Sequence, residues 1–190
     1  MAAFSVVELL FVLGLAATLA SMAALQGRAA VQQMRTAAAG RFVLSLLQDV
    51  RTRAIERGCD TALRVRRDAS GFTLAVYEDG NRNGVLSADI ASGVDAQIGP
   101  VVRLPQQFPG VDFGALPGLP GAEGSAAPGS DPVRLGAVDG VTFTSAGSTS
   151  TGSLYLLGPG DAQYAVRIFG ETGRVRLLKF HAGTRRWLPL

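Results

Sequence analysis

From Phe4 to Leu25 the chain carries a single ionisable side chain, Glu8, in an otherwise uncharged and largely apolar run. As an α-helix these residues rise about 33 Å at roughly 1.5 Å each, which matches a bilayer's hydrocarbon core of about 30 Å. A carboxylate one turn inside such a segment costs on the order of a few kcal/mol unless something neutralises it, so Glu8 marks a functional position. A secretory signal peptide would instead need a cationic start and a shorter run. Met1-Ala-Ala supplies no side-chain cation and Glu8 interrupts the run, although Ala20-Ser-Met-Ala-Ala24 has the small residues of a cleavage site.

The helical pattern does not stop where the apolar run does. Val31, Met34, Ala38, Phe42, Leu46, Val50 and Ala54 recur at three- and four-residue steps and draw one apolar stripe. Arg28, Arg35, Arg41, Arg51 and Arg53 lie mostly off it and read as a solvated face. No proline interrupts the chain before Pro100, and Gly58 offers a C-terminal stop after Glu56-Arg57. The expectation is one helix over 4–57, about 80 Å long at roughly 1.5 Å per residue, apolar all round in its first half and amphipathic in its second.

After Gly58 the period changes to two. Thr61–Arg67 and Phe72–Tyr77 read as a hairpin turned at Asp68-Ala-Ser-Gly71. Val141–Thr144, Ser153–Leu157, Gln163–Phe169 and Arg174–Phe180 read as four further strands separated by glycine-rich turns. Between the two groups, 105–132 is rich in Pro, Gly, Ala and Ser and reads as a long, irregular and mobile surface loop. The fold class expected is α+β: a long N-terminal helix, transmembrane over 4–27 and amphipathic over 28–58, packed on an antiparallel β domain over 59–190.

Of 190 residues, 18 are Lys or Arg and 15 Asp or Glu, but the charges are unevenly placed. Residues 28–67 hold nine Arg against three acids, residues 68–160 three Arg against nine, and the last thirty residues are again basic. Such asymmetry favours an anionic partner at one face or complementary packing between subunits. Catalysis has little to draw on: His181 is the only histidine, Cys59 the only cysteine, and neither belongs to a nucleophile–base pattern. A disulfide within the chain is excluded and no cofactor is implied. Asp79-x-Asn81-x-Asn83-Gly84 opens like a calcium loop, with Asp89 as a further oxygen donor, but its twelfth position is Ile90 where a bidentate Glu belongs. A plain polar turn is the competing reading.

Ala3-Phe4-Ser5-Val6-Val7-Glu8-Leu9-Leu10 resembles the processing signal of type IV pilins and pseudopilins. The resemblance implies a remnant leader over 1–3, cleavage by a prepilin peptidase between Ala3 and Phe4, and N-methylation of Phe4. It also implies pairing of Glu8, fifth in the mature chain, with an N-terminal amine during assembly, which answers the cost of a buried carboxylate. Ala3 stands where the family usually has Gly. Asp49–Gly58, Asp79–Gly84, Val141–Gly147 and Thr172-Gly-Arg-Val-Arg176 are similar to the GspH/FimT group of minor pilins and pseudopilins. That group implies a pilin-like fold and a subunit that primes or caps a type IV pilus or type II secretion pseudopilus. Its setting would be the bacterial inner membrane, with the domain in the periplasm, and its partners other pilins and the prepilin peptidase.

In the FimT-like branch a Gly-Arg-x-Arg motif is associated with DNA uptake, and Gly173-Arg174-Val175-Arg176 matches it. Arg174 and Arg176 are two apart on a strand and share a face. With Lys179, Arg185 and Arg186 nearby they could contact successive phosphates without reading bases, and Phe180 and Trp187 could stack on single strands. A basic edge strand kept from aggregating by its charge is the alternative.

Overall fold

The computed structural model describes residues 5–136 and 140–190, the side chains of 23–26 and 28 excepted. Ala3 and Phe4, on which the cleavage and methylation expectations rest, lie outside the described residues. One helix, α1, runs from Val6 to Arg57, 52 residues or about 78 Å at roughly 1.5 Å each. Ser5 caps its start, its Oγ accepting from the Val7 amide at 3.3 Å, and Gly58 ends it in the left-handed conformation. Glu8 lies in the first turn, where the helix dipole favours a negative charge.

The rest of the chain is antiparallel sheet. Strands β1 (Thr61–Asp68) and β2 (Gly71–Glu78) form the expected hairpin, with Asp68 paired to Gly71 at its tip. A short helix α2 (Ser87–Ser92) leads to β3 (Ala96–Val102) and to α3 (Leu104–Gln107). Two short strands follow, β4 (Asp112–Phe113) and β5 (Val133–Arg134), then β6 (Gly140–Phe143) and β7 (Gly152–Gly158). β8 (Ala162–Phe169), β9 (Arg174–His181) and β10 (Arg186–Pro189) complete the chain. The first sheet has the order β3-β2-β1-β6 and the second β10-β9-β8-β7-β4, with β5 also paired to β7.

The second half of α1 is the spine on which both sheets pack. Val43, Leu47, Val50 and Ala54 are fully buried against Leu63, Val141 and Phe143 of the first sheet and Leu154, Val166 and Ile168 of the second. This corrects the stripe expected from the sequence. The buried line runs through Thr36, Ala39, Gly40, Val43 and Leu47 before meeting Val50 and Ala54, whereas Val31 and Met34 are 53% and 71% exposed. The reason is steric: the helix approaches the sheet most closely at its small residues. A Cβ on Gly40 would sit 2.6 Å from Leu177 Cδ1, so a larger residue there would have to displace that side chain. Two adjacent rows were apolar enough to serve, and close approach selected the one with the smaller side chains.

The arginine face needs a similar correction at one position. Arg51 is half-buried and its Nε donates to the Gly147 carbonyl at 3.0 Å, tying the helix end to the turn after β6. Arg53 makes the surface pair with Asp49 one turn back.

The segment 105–132 is irregular, as its composition requires, but it is neither detached nor wholly exposed. Val111, Phe113, Leu119 and Ala122 are buried. Ala122 joins Tyr155, Ala165 and Leu178 in a cluster on the face of the second sheet opposite α1. Side chains supply the backbone partners that secondary structure would have given. The Gln163 Oε1 accepts from Leu116 N at 3.1 Å while its Nε2 donates to the Gly114 carbonyl. Tyr155 Oη accepts from Ala122 N at 3.2 Å, and Trp187 Nε1 donates to Pro120 O at 2.9 Å.

Candidate functional site

Two surfaces stand out, one apolar and one basic. The first is the free half of α1. Between Val6 and Met22 the large apolar side chains are exposed, and no sheet or loop among the described residues covers them. Among the described residues no helix is long and apolar enough to cross a membrane; the described side chains of this half end at Met22, short of the run's end at Leu25.

The second is the outer face of the second sheet. Alternation along β9 puts Arg174, Arg176, Leu178 and Phe180 on it, so the two arginines of the Gly-Arg-x-Arg motif do share a face. Lys179 belongs to the opposite face and its Nζ donates to Gln33 Oε1 on α1 at 3.1 Å. Arg185 donates to the Gly118 carbonyl, and Arg186 is exposed in β10 opposite His181. The five expected cations are therefore not one patch. Arg174 is exposed, while Arg176 is half-buried and paired through Nη1 with Glu123 Oε1 at 3.0 Å. Trp187 and Phe180 pack against each other with rings tilted by 54° and centroids 5.2 Å apart, and Trp187 is further held by Tyr155 and Pro120.

The motif's glycine has a local reason. Gly173 has φ of 61°, and a Cβ there would lie 2.2 Å from the Gly147 carbonyl oxygen and 2.7 Å from Arg51 Nε. The β8–β9 turn, the β6–β7 turn and the end of α1 meet at this point.

Sequence reasoning passed over the residues beside the motif. Strand register sets Arg134 opposite Ser153, Ser153 opposite Arg167, and Arg167 opposite Arg176, so one line crosses β5, β7, β8 and β9. Arg167 is 8% exposed and its Nη1 donates to the Gly152 carbonyl at 2.9 Å and to Ser153 Oγ at 3.2 Å. Its guanidinium carbon lies 5.4 Å from the Phe169 ring centroid and that of Arg176 6.0 Å, so both cations share one aromatic ring. Two depressions of about 430 Å³ open here. One is lined by Arg134, Ser153, Thr151 and Arg167, the other by Phe169, Glu171, Arg174 and Arg176. No sequence period could reveal the row, because its members come from four strands.

The Asp79 loop is closed by its own hydrogen bonds. Asp79 is buried; Oδ1 accepts from Asn81 N and Arg82 N, and Oδ2 from Gly84 N at 2.7 Å. Asp89 Oδ2 accepts from the Asn81 and Asn83 side-chain amides at 3.2 and 3.0 Å. The buried Asp95 accepts from Gly80 N and Leu86 N, and the buried Arg64 donates to the Val85 carbonyl. Burial lowers the Arg64 guanidinium from its ordinary value. These hydrogen bonds join Asp79, Asn81, Asn83 and Asp89, the four residues expected as calcium ligands, into one loop. Among the described residues no group of three or more His, Cys, Asp or Glu could hold a metal.

No protein-family model matches the chain, and no curated protein matches it significantly. Among solved structures, the minor pseudopilin EpsH from the type 2 secretion system of Vibrio cholerae is similar, with a TM-score of 0.48 and 16% sequence identity. The match covers 76% of this chain and 97% of that one.

Proposed function

We propose that this protein is a minor pilin or pseudopilin that assembles into, or primes the tip of, a type IV pilus or type II secretion pseudopilus. The observation that carries the reading is the division of α1. Its second half is the core spine of the β domain, while its first half presents exposed apolar side chains that nothing among the described residues covers. A surface of that kind is stable only against lipid or against like helices of neighbouring subunits. Before assembly the segment 4–27 would hold the chain in the bacterial inner membrane, with the β domain in the periplasm. Glu8, exposed in the first turn, would pair with an N-terminal amine of an adjacent subunit. Prepilin peptidase and other pilins are the implied partners.

Co-expression of the full chain with a prepilin peptidase tests this. N-terminal sequencing and intact mass should show a mature protein that begins at a methylated Phe4. Glu8→Ala should still be cut but should fail to enter filaments. A mature end elsewhere, or an uncut chain, would sink the proposal.

A second reading has its own observation: Arg174 is exposed and lines, with Arg176, Thr172 and Phe169, an open depression on the outer face. In this reading the minor pilin captures DNA through phosphate contacts, without base specificity. Binding of the full chain to random-sequence DNA should then fall steeply with salt, and Arg174→Ala combined with Arg176→Ala should remove it. Binding unaffected by either change would exclude DNA contact at this motif.

A further inference from the structure

Arg167 poses an electrostatic problem that the chain alone does not solve. The residue is more than nine-tenths buried, yet among the described residues no carboxylate lies within ion-pair distance of it. Its hydrogen-bond acceptors, the Gly152 carbonyl and Ser153 Oγ, are both neutral, and its Nε is buried without a partner. Directly across the sheet stands Arg176, a like charge, whose own carboxylate Glu123 is committed to it. On the other side, one strand beyond Ser153, stands Arg134. Like charges opposed across strands destabilise a sheet, and a buried cation without a counter-charge costs more again. The cation–π contact with Phe169 offsets part of this.

The space beside Arg167 fits an anion. It measures about 430 Å³, opens to solvent, and is walled by Arg134, Arg167, Ser125, Thr151 and Ser153, with Asp131 among its lining residues. Ser153 accepts from Arg167, so its hydroxyl proton is available to a ligand, and the exposed Arg134 can reach across the opening. Asp131 is exposed and its Oδ1 accepts from Val133 N. Its charge limits how much negative charge the site tolerates.

We infer that the outer face of the second sheet carries an oxyanion site for a phosphate group, with Arg167 as the buried counter-charge, Ser153 as a donor and Arg134 as the cation at the mouth. The site does not depend on the filament reading, and it differs from the Gly-Arg-x-Arg reading in its residues. Arg134 and Arg167 line the depression that opens beside Ser153, Arg174 and Arg176 the neighbouring one. The phosphate could be free or belong to a phosphodiester.

The test is titration of inorganic phosphate into the full chain in nonionic detergent, at low ionic strength in a phosphate- and sulfate-free buffer. Calorimetry should show saturable binding, and phosphate should raise the wild-type Tm, since a ligand of the native state stabilises it. Arg134→Gln, at an exposed position, should weaken binding about tenfold or more, the loss expected for one charge-assisted hydrogen bond. Arg167→Met should abolish binding and the phosphate-dependent rise in Tm, while Arg41→Gln, at an exposed position of α1, should leave both unchanged. Competition between an oligonucleotide and inorganic phosphate would assign the site to phosphodiesters, and saturable phosphate binding without competition to the free ion. Absence of saturable binding by the wild type, or binding by Arg134→Gln and Arg167→Met as tight as that of the wild type, would overturn the inference.

Discussion

At the scale of single residues, the motif near the C-terminus divides its labour between chemistry and construction. Gly173 is in the left-handed region at φ 61°, and a side chain there would run into the Gly147 carbonyl and Arg51, so the glycine lets three segments meet ahead of the arginines. Gly173→Ala should therefore cost roughly 1–3 kcal/mol from backbone strain alone, with the clash against Gly147 adding to it. Urea unfolding of the full chain in detergent measures the loss, and an unchanged midpoint would show that the turn can relax. Arg176 is likewise less free than its place in the motif suggests. Glu123 neutralises it, so an anion approaching the motif meets Arg174 first. The sequence showed the arginines but not their partners, because Glu123 lies more than fifty positions away, in a segment without periodicity.

At the scale of elements, α1 was legible in extent and end, and misread in its rotation. The apolar run from Phe4, the absence of proline and the stop at Gly58 are local signals, and they place the ends of the helix observed over Val6–Arg57 to within a residue or two. Which apolar row faces inward is not local. Phe42, Val43, Leu44, Leu46 and Leu47 make the helix apolar over a wide arc, and the sheets chose the row that passes through Ala39 and Gly40. Leu47→Ala should then destabilise the domain by about 2–5 kcal/mol, as expected for a filled core site. Met34→Ala, on the row expected from the sequence, should change stability by less than about 0.5 kcal/mol. Reversal of that order in urea unfolding would restore the original stripe. The strands show the same division: β1, β2 and β6 to β9 are long enough for a period of two to declare itself. β3 holds Gly99 and Pro100, while β4 and β5 are two residues each, so pairing rather than pattern defines them.

At the scale of the whole molecule, the chain is one helix shared between two environments. Half of it is the buried spine of two antiparallel sheets, and half carries exposed apolar side chains beyond them. The segment 105–132 completes the domain by lying over the face of the second sheet that the helix leaves open, held there by Tyr155, Gln163 and Trp187. Its composition announces irregular backbone but says nothing about attachment, because each of those anchors comes from a strand later in the chain. Residues 1–57 and the turn glycines by themselves determined a long helix, its apolar half, the position of Glu8 and the change to strands, all of which rest on contacts within a few residues. Only the tertiary structure decided which face of the helix is buried, which arginines are free, and that Arg134, Ser153, Arg167 and Arg176 stand in one line. Register between strands is set by packing across the sheet, and no spacing along the chain records it.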